Sequence, residues 1–197
     1  MPGSRTPRAR PRWLVPILIV VVSLTVGGGL LARELYKLPE PDTEPEGVLP
    51  TTTSLPPEQQ PGSPVVELTP GAAAHPENES VRQVLQTYVD AINHRDYAAW
   101  TTTVTRDRVQ ARTEAQWRFQ YRSTTDGSVL IHRIETVPDG SLRVLVGLTS
   151  TQDPVDAPAD VPEPCIRWHL TLPMTVEGGS WKIDSVPAGS TPEYGKC

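Results

Sequence analysis

Hydrophobic period changes once along this chain, near Asp126-Gly127, and that change confines its folded part to helices followed by strands. Upstream, Val81, Val84, Leu85, Tyr88, Val89 and Ile92 recur every three or four residues, the spacing that lines one face of an α-helix. Arg82, Gln83, Gln86 and Asp90 fall on the opposite face, and Glu79 or Ser80 is the expected cap. Asp96 reads as the N-cap of a short second helix over 97–103, and a third over 113–122 sets Trp117 and Tyr121 one turn apart. Downstream the period is two. Residues 129–137 are rich in β-branched side chains, and Pro138-Asp139-Gly140-Ser141 turns the chain into Leu142, Val144, Val146 and Leu148. A further strand sets Ile166, Trp168, Leu170, Leu172, Met174 and Val176 against Arg167, His169, Thr171 and Thr175, and Glu177-Gly178-Gly179-Ser180 is a hairpin turn into Trp181 and Ile183. The expectation is an α+β fold, three helices packed on one face of a curved antiparallel four-stranded sheet.

Ahead of this domain stands an apolar run, residues 14–32. Nineteen helical residues at ~1.5 Å each reach roughly 28 Å, enough to cross a bilayer's hydrocarbon core. Arg5, Arg8, Arg10 and Arg12 precede the run with no acid among them, whereas Glu40, Asp42, Glu44 and Glu46 come after it, so the positive-inside rule places the N-terminus in the cytoplasm. The competing reading is a signal peptide cleaved at Gly27–Gly29. Both readings export the C-terminal part of the chain. Ten prolines in residues 39–76, mixed with Glu, Thr and Ser, predict an extended linker that buries too little surface to fold. The expected division is a cytoplasmic basic tail over 1–13, a transmembrane signal anchor over 14–32, an extracytoplasmic linker over 33–78 and an extracytoplasmic domain over 79–197.

Cys165 and Cys197 are the only cysteines, and in an oxidising compartment their pairing is expected. Such a bond closes 33 residues and stabilises by roughly 3–4 kcal/mol in the loop-entropy description. Of 18 basic residues only Lys37, Lys182 and Lys196 are lysines, arginine-heavy usage that fits a GC-rich, actinobacterial genome. A net charge of -5 argues against a nucleic-acid partner.

The join Asn93-His94-Arg95-Asp96-Tyr97 at the end of the long helix and the closing Gly179-Ser180-Trp181-Lys182-Ile183, in this order of elements, resemble the nuclear transport factor 2-like superfamily, which includes ketosteroid isomerase-like and SnoaL-like domains. The resemblance covers roughly residues 80–188. Anchor, proline-rich linker and such a domain together are similar to actinobacterial Mce-associated accessory proteins. The resemblance implies a cystatin-like cone whose interior holds a ligand, a catalytic site or only side chains.

Five residues are candidates to line that interior: Tyr88, Trp100, Trp117, Trp168 and His132, the last flanked at period two by Leu130 and Ile134. An isomerase-like reaction needs a carboxylate base beside hydrogen-bond donors in a dry site. Asp90 points away from the apolar helix face, Asp96 serves as a cap and Asp184 alternates away from Trp181 and Ile183, so no catalytic residue is assigned. The histidines His75, His94, His132 and His169 show no metal-ligand spacing, and the loop bearing Asp153, Asp156, Asp160 and Glu163 lacks a calcium-loop pattern and reads as solvated and mobile. Neither metal nor cofactor is expected. Arg106, Arg108, Arg112, Arg118 and Arg122 are answered locally only by Asp107 and Glu114. They form a solvated face, or a basic rim for an anionic envelope component or an acidic envelope protein. Arg118, Arg122, Arg167 and His169 are the candidate partner-binding residues, and the Arg167, His169, Thr171 face is a candidate homodimer surface. The expected role is that of a membrane-anchored, extracytoplasmic, non-catalytic interaction or accessory domain of the cell envelope. The alternatives are a small-molecule binding or sensing domain and a ketosteroid isomerase-like enzyme.

Overall fold

A computed structural model describes residues 55–187, 190 and 192–197, which belong to one compact unit, Thr53–Cys197. The basic tail, the apolar run and the linker up to residue 54 lie outside the described residues. Among the described residues no helix is long and apolar enough to cross a membrane.

The α+β pattern takes the form of a mixed sheet with helices. Its strands are β1 (Glu67–Leu68), β2 (Thr125–Thr136), β3 (Leu142–Thr151), β4 (Cys165–Glu177), β5 (Ser180–Ile183) and β6 (Glu193–Lys196). β1 runs parallel to β2, and the other pairings are antiparallel in the order β1-β2-β3-β4-β5. Besides β3, β4 is long enough to serve two further partners. Its Met174–Glu177 end pairs with β5 and its Ile166–His169 end with β6. The sheet therefore has six strands and not four: β1 and β6 are too short to show a period in the sequence.

The helices are α1 (Pro70–Ala73), α2 (Asn78–His94), α3 (Tyr97–Thr101), α4 (Arg106–Gln110) and α5 (Glu114–Gln120). α4 buries no residue, which is why it carries no apolar signal. α2 begins slightly earlier than expected, with Glu77 at the N-cap; the indole N–H of Trp181 donates to that glutamate at 2.8 Å and ties β5 to the helix start. α2 stops at Arg95, which takes a left-handed conformation. There the Asn93 side chain exchanges two hydrogen bonds with the Asp126 backbone, at 2.9 and 2.7 Å, locking helix end to strand start. The Asp96 carboxylate then accepts from the Ala99 N–H, as a cap should.

The apolar face of α2, Val81, Leu85, Val89 and Ile92, packs into one core with Ile131, Val144, Val146, Met174 and Ile183. Register explains the strand contributions: Val144 faces Leu172, Val146 faces Leu170 and Leu142 faces Met174 across the β3–β4 ladder, so all six point the same way. The Gly178-Gly179 turn has positive φ at both residues, the conformation that lets a two-residue hairpin follow the strand twist.

One expectation is corrected at the N-terminal side. The stretch from Leu55 to residue 78, expected to be extended linker, is part of the fold: Val66 and Ala72 are buried, and β1 and α1 arise within it. The Gln86 side chain, on the supposedly solvated face of α2, accepts from the Val66 N–H at 2.8 Å and donates to the Pro64 carbonyl at 3.1 Å. Ser128 N–H donates to Ser63 O at 2.7 Å, and Thr69 both caps α1 and donates its hydroxyl to the His132 carbonyl. Proline density hides a segment held by its backbone polar groups more than by apolar side chains.

Candidate functional site

Behind α2, the short helices deliver a set of aromatic rings into one place. Tyr97, at the start of α3, stacks on Trp100 at 5.5 Å between centroids and meets Trp117 of α5 edge-on at 5.6 Å. Trp100 and Trp117 are 5.6 Å apart, and Tyr121 closes the row 5.3 Å from Trp117. A capping box fixes the start of α5, with the Thr113 hydroxyl and Gln116 side chain exchanging bonds with each other's backbone, so Trp117 enters the core at a set angle. Both tryptophans are fully buried, and their indole N–H groups find no acceptor among the described residues. Tyr88 packs beside them, and the Tyr121 phenol is pushed well above its ordinary range by burial first and by Tyr88 second.

Three of the five residues expected to line an interior, Tyr88, Trp100 and Trp117, are thus brought together in the hydrophobic core. Trp168 lies elsewhere, with its ring 4.8 Å from that of Tyr194, whose hydroxyl donates to the Asp160 carboxylate at 2.8 and 3.0 Å. His132 is corrected: it is exposed and does not enter the interior. A register shift between Ile131 and Arg133 breaks the period-two alternation at this residue, and its ring lies over Gly147, where an added Cβ would come within 2.7 Å of Nε2.

Arg118 and Arg122 of the expected basic rim are paired within the domain. Arg118 donates to Glu114 at 2.8 Å and to the Arg95 carbonyl. Arg122 grips both oxygens of Asp156, stacks over Phe119 at 4.2 Å, and is joined at Asp156 by the Ser123 hydroxyl at 2.6 Å. The Ser123 hydroxyl and then Arg122 hold the Asp156 carboxyl below the usual carboxylate range. The acidic loop is therefore clasped at Asp156 and Asp160 and not left loose. Arg167 donates to the Cys197 carbonyl at 3.3 Å, and His169 is exposed on the outward face of β4. The expected disulfide joins Cys165 to Cys197, with Cα atoms 5.5 Å apart.

Two cavities border these groups. A groove of about 800 Å³ runs along the disulfide, with Leu55, Pro57, Ser123, Gln152 and Lys196 among its walls. The exposed Phe119 stacks under Arg122, and the exposed Val155 precedes Asp156 in the chain, at the ion pair that adjoins Ser123. A smaller pocket of about 180 Å³ is walled by Trp100, Arg108, Arg112, Ser185 and Val186. Arg108 lies 5.9 Å from the Tyr88 ring and reaches the Asp184 carbonyl only at 3.4 Å. The Arg112 backbone carbonyl accepts from the Tyr97 hydroxyl at 3.2 Å.

Sequence reasoning passes over Asp126, which looks like a turn residue beside Gly127. It is buried at the head of β2, accepts from the Ser150 hydroxyl at 2.5 Å, and sits across the β2–β3 ladder from that serine. Burial pushes its carboxyl up to about 6, against the hydrogen bond from Ser150 and the charge of Arg95, which act downward. It lines neither cavity. Among the described residues no three His, Cys, Asp or Glu side chains gather in a metal-binding group. Comparison with protein-family models, with curated proteins and with solved structures finds no match.

Proposed function

We propose that this chain is a membrane-anchored, extracytoplasmic interaction or accessory domain of the cell envelope, with a nuclear transport factor 2-like architecture, that works through its surface. The observation that supports this reading is the filled interior: Tyr97, Trp100, Trp117 and Tyr121 occupy the space between helices and sheet where an isomerase-like domain would hold a substrate. Asp126, the carboxylate with the raised pKa, lines neither cavity and so lacks a reacting atom to serve. The surface best suited to a partner is the disulfide end, where an 800 Å³ groove adjoins the Arg122–Asp156 clasp with the exposed Phe119 and Val155.

Photo-crosslinking residues placed at Phe119, Val155 and, as a control on β3, Arg143 test the reading in full-length chain in native membranes. Discrete adducts from Phe119 and Val155 but not Arg143 are expected. Native mass spectrometry of the same protein showing a stoichiometric apolar small molecule would instead favour a binding or sensing domain.

A further inference from the structure

We infer that the pocket between α4, the turn after it and residues 185–186 is a binding site for a small monocarboxylate with a compact apolar body. Its chemistry is amphipathic. Trp100, Ala111 and Val186 supply apolar wall, while Arg108 and Arg112 supply charge from one side.

Most arginines among the described residues pair with an acid. Arg82 pairs with Glu79, Arg106 with Glu177, Arg118 with Glu114, Arg122 with Asp156, and Arg133 and Arg143 with Glu135. Arg108 and Arg112 differ: both are half-buried, and among the described residues neither has a carboxylate within ion-pair distance. A guanidinium carries five N–H donors in a planar fork matched to a carboxylate. Arg108 uses one, in a long bond of 3.4 Å to the Asp184 carbonyl, and Arg112 uses none on the described residues. Partial burial removes water from two cations without giving either a strong acceptor, so an anion that brings two oxygens relieves both.

The fold holds this arrangement in place. Thr105, before α4, bonds the Ile183 carbonyl through its N–H and the Asp184 carboxylate through its hydroxyl at 3.1 Å, while Tyr97 holds the Arg112 carbonyl from below. The same Asp184 carboxylate oxygen accepts from the Ser185 N–H at 2.7 Å, which fixes the start of the 185–186 segment. The volume, about 180 Å³, suits one compact ring or branched chain and excludes a steroid.

The test uses the full chain in detergent with benzoate as probe and isothermal titration as readout. Binding with a Kd of about 1 mM or tighter is expected. Arg108→Gln and Arg112→Gln should each weaken it about tenfold or more, and Arg112→Lys should retain part of the affinity because it keeps the charge and loses the fork. Benzamide should fail to bind. An unchanged melting temperature in each variant separates loss of the site from loss of the fold. Absence of benzoate binding, equal binding of benzamide, or undiminished affinity in Arg112→Gln would overturn the assignment. Tighter binding of inorganic phosphate than of benzoate would overturn the carboxylate class.

Discussion

At the residue scale, Asp126 carries the clearest pH signature in the molecule. Its carboxyl titrates at about 6 in the fold, above the ordinary value of 3.8, so the folded state holds a proton that the unfolded chain releases between those values. Its contribution is fully present below about pH 4 and is lost as pH rises through 6, a swing of about 3 kcal/mol for a shift of this size. Glu79 acts in the opposite sense: the Arg82 hydrogen bond lowers it to about 2, so its small, solvent-screened contribution is present above pH 4 and fades below. Asp126→Asn keeps an acceptor for Ser150 and removes the charge. Urea unfolding at pH 8 should find the variant more stable than the parent by about 1–2 kcal/mol, with the two converging near pH 4. A variant that is less stable at pH 8 would mean that the Arg95 attraction outweighs burial. The sequence conceals this residue because Asp-Gly ahead of a strand has the chemistry of a turn, and only the register against Ser150 shows that it is inside. Trp117 shows the reverse case. Its spacing from Tyr121 is readable, its complete burial is not, and Trp117→Ala should cost about 3–5 kcal/mol by thermal or urea denaturation.

Elements with a period of their own are readable; elements that borrow their partners are not. α2 and β4 announce themselves through apolar spacing, and the Gly178-Gly179 hairpin through its turn residues. β1, α1 and β6 are held by the register of neighbouring strands, by Gln86 and by a disulfide, none of which leaves a periodic trace. Gln86→Leu should therefore loosen residues 64–69 while α2 stays folded, read as faster amide exchange at Val66 with little change in the helix. At the other end, the Cys165–Cys197 bond fastens β6 to β4 at residue 197. Replacing both cysteines by serine should cost roughly 3–4 kcal/mol and should free Tyr194 from both Trp168 and Asp160, seen as exchange in residues 193–197 before the core opens. Equal stability with and without reductant would mean that the ladder alone holds the strand.

For the whole molecule, the Cys165–Cys197 disulfide is of the kind that persists in an oxidising compartment, and the proposed membrane-anchored role is to be tested on the full chain. The general plan of helices then sheet is legible because each half has its own period. The partition between interior and surface is not, because it depends on which arginine meets which acid: Arg122 reaches Asp156 across 34 positions, while Arg108 and Arg112, in the same charge run, meet none among the described residues. The location of the domain decides the functional reading, and protease treatment of intact spheroplasts carrying the full chain with a C-terminal tag tests it most directly. Export through a single span with the N-terminus inside predicts loss of the tag from intact spheroplasts while a cytoplasmic marker survives. A tag that is protected until the membrane is lysed would contradict it.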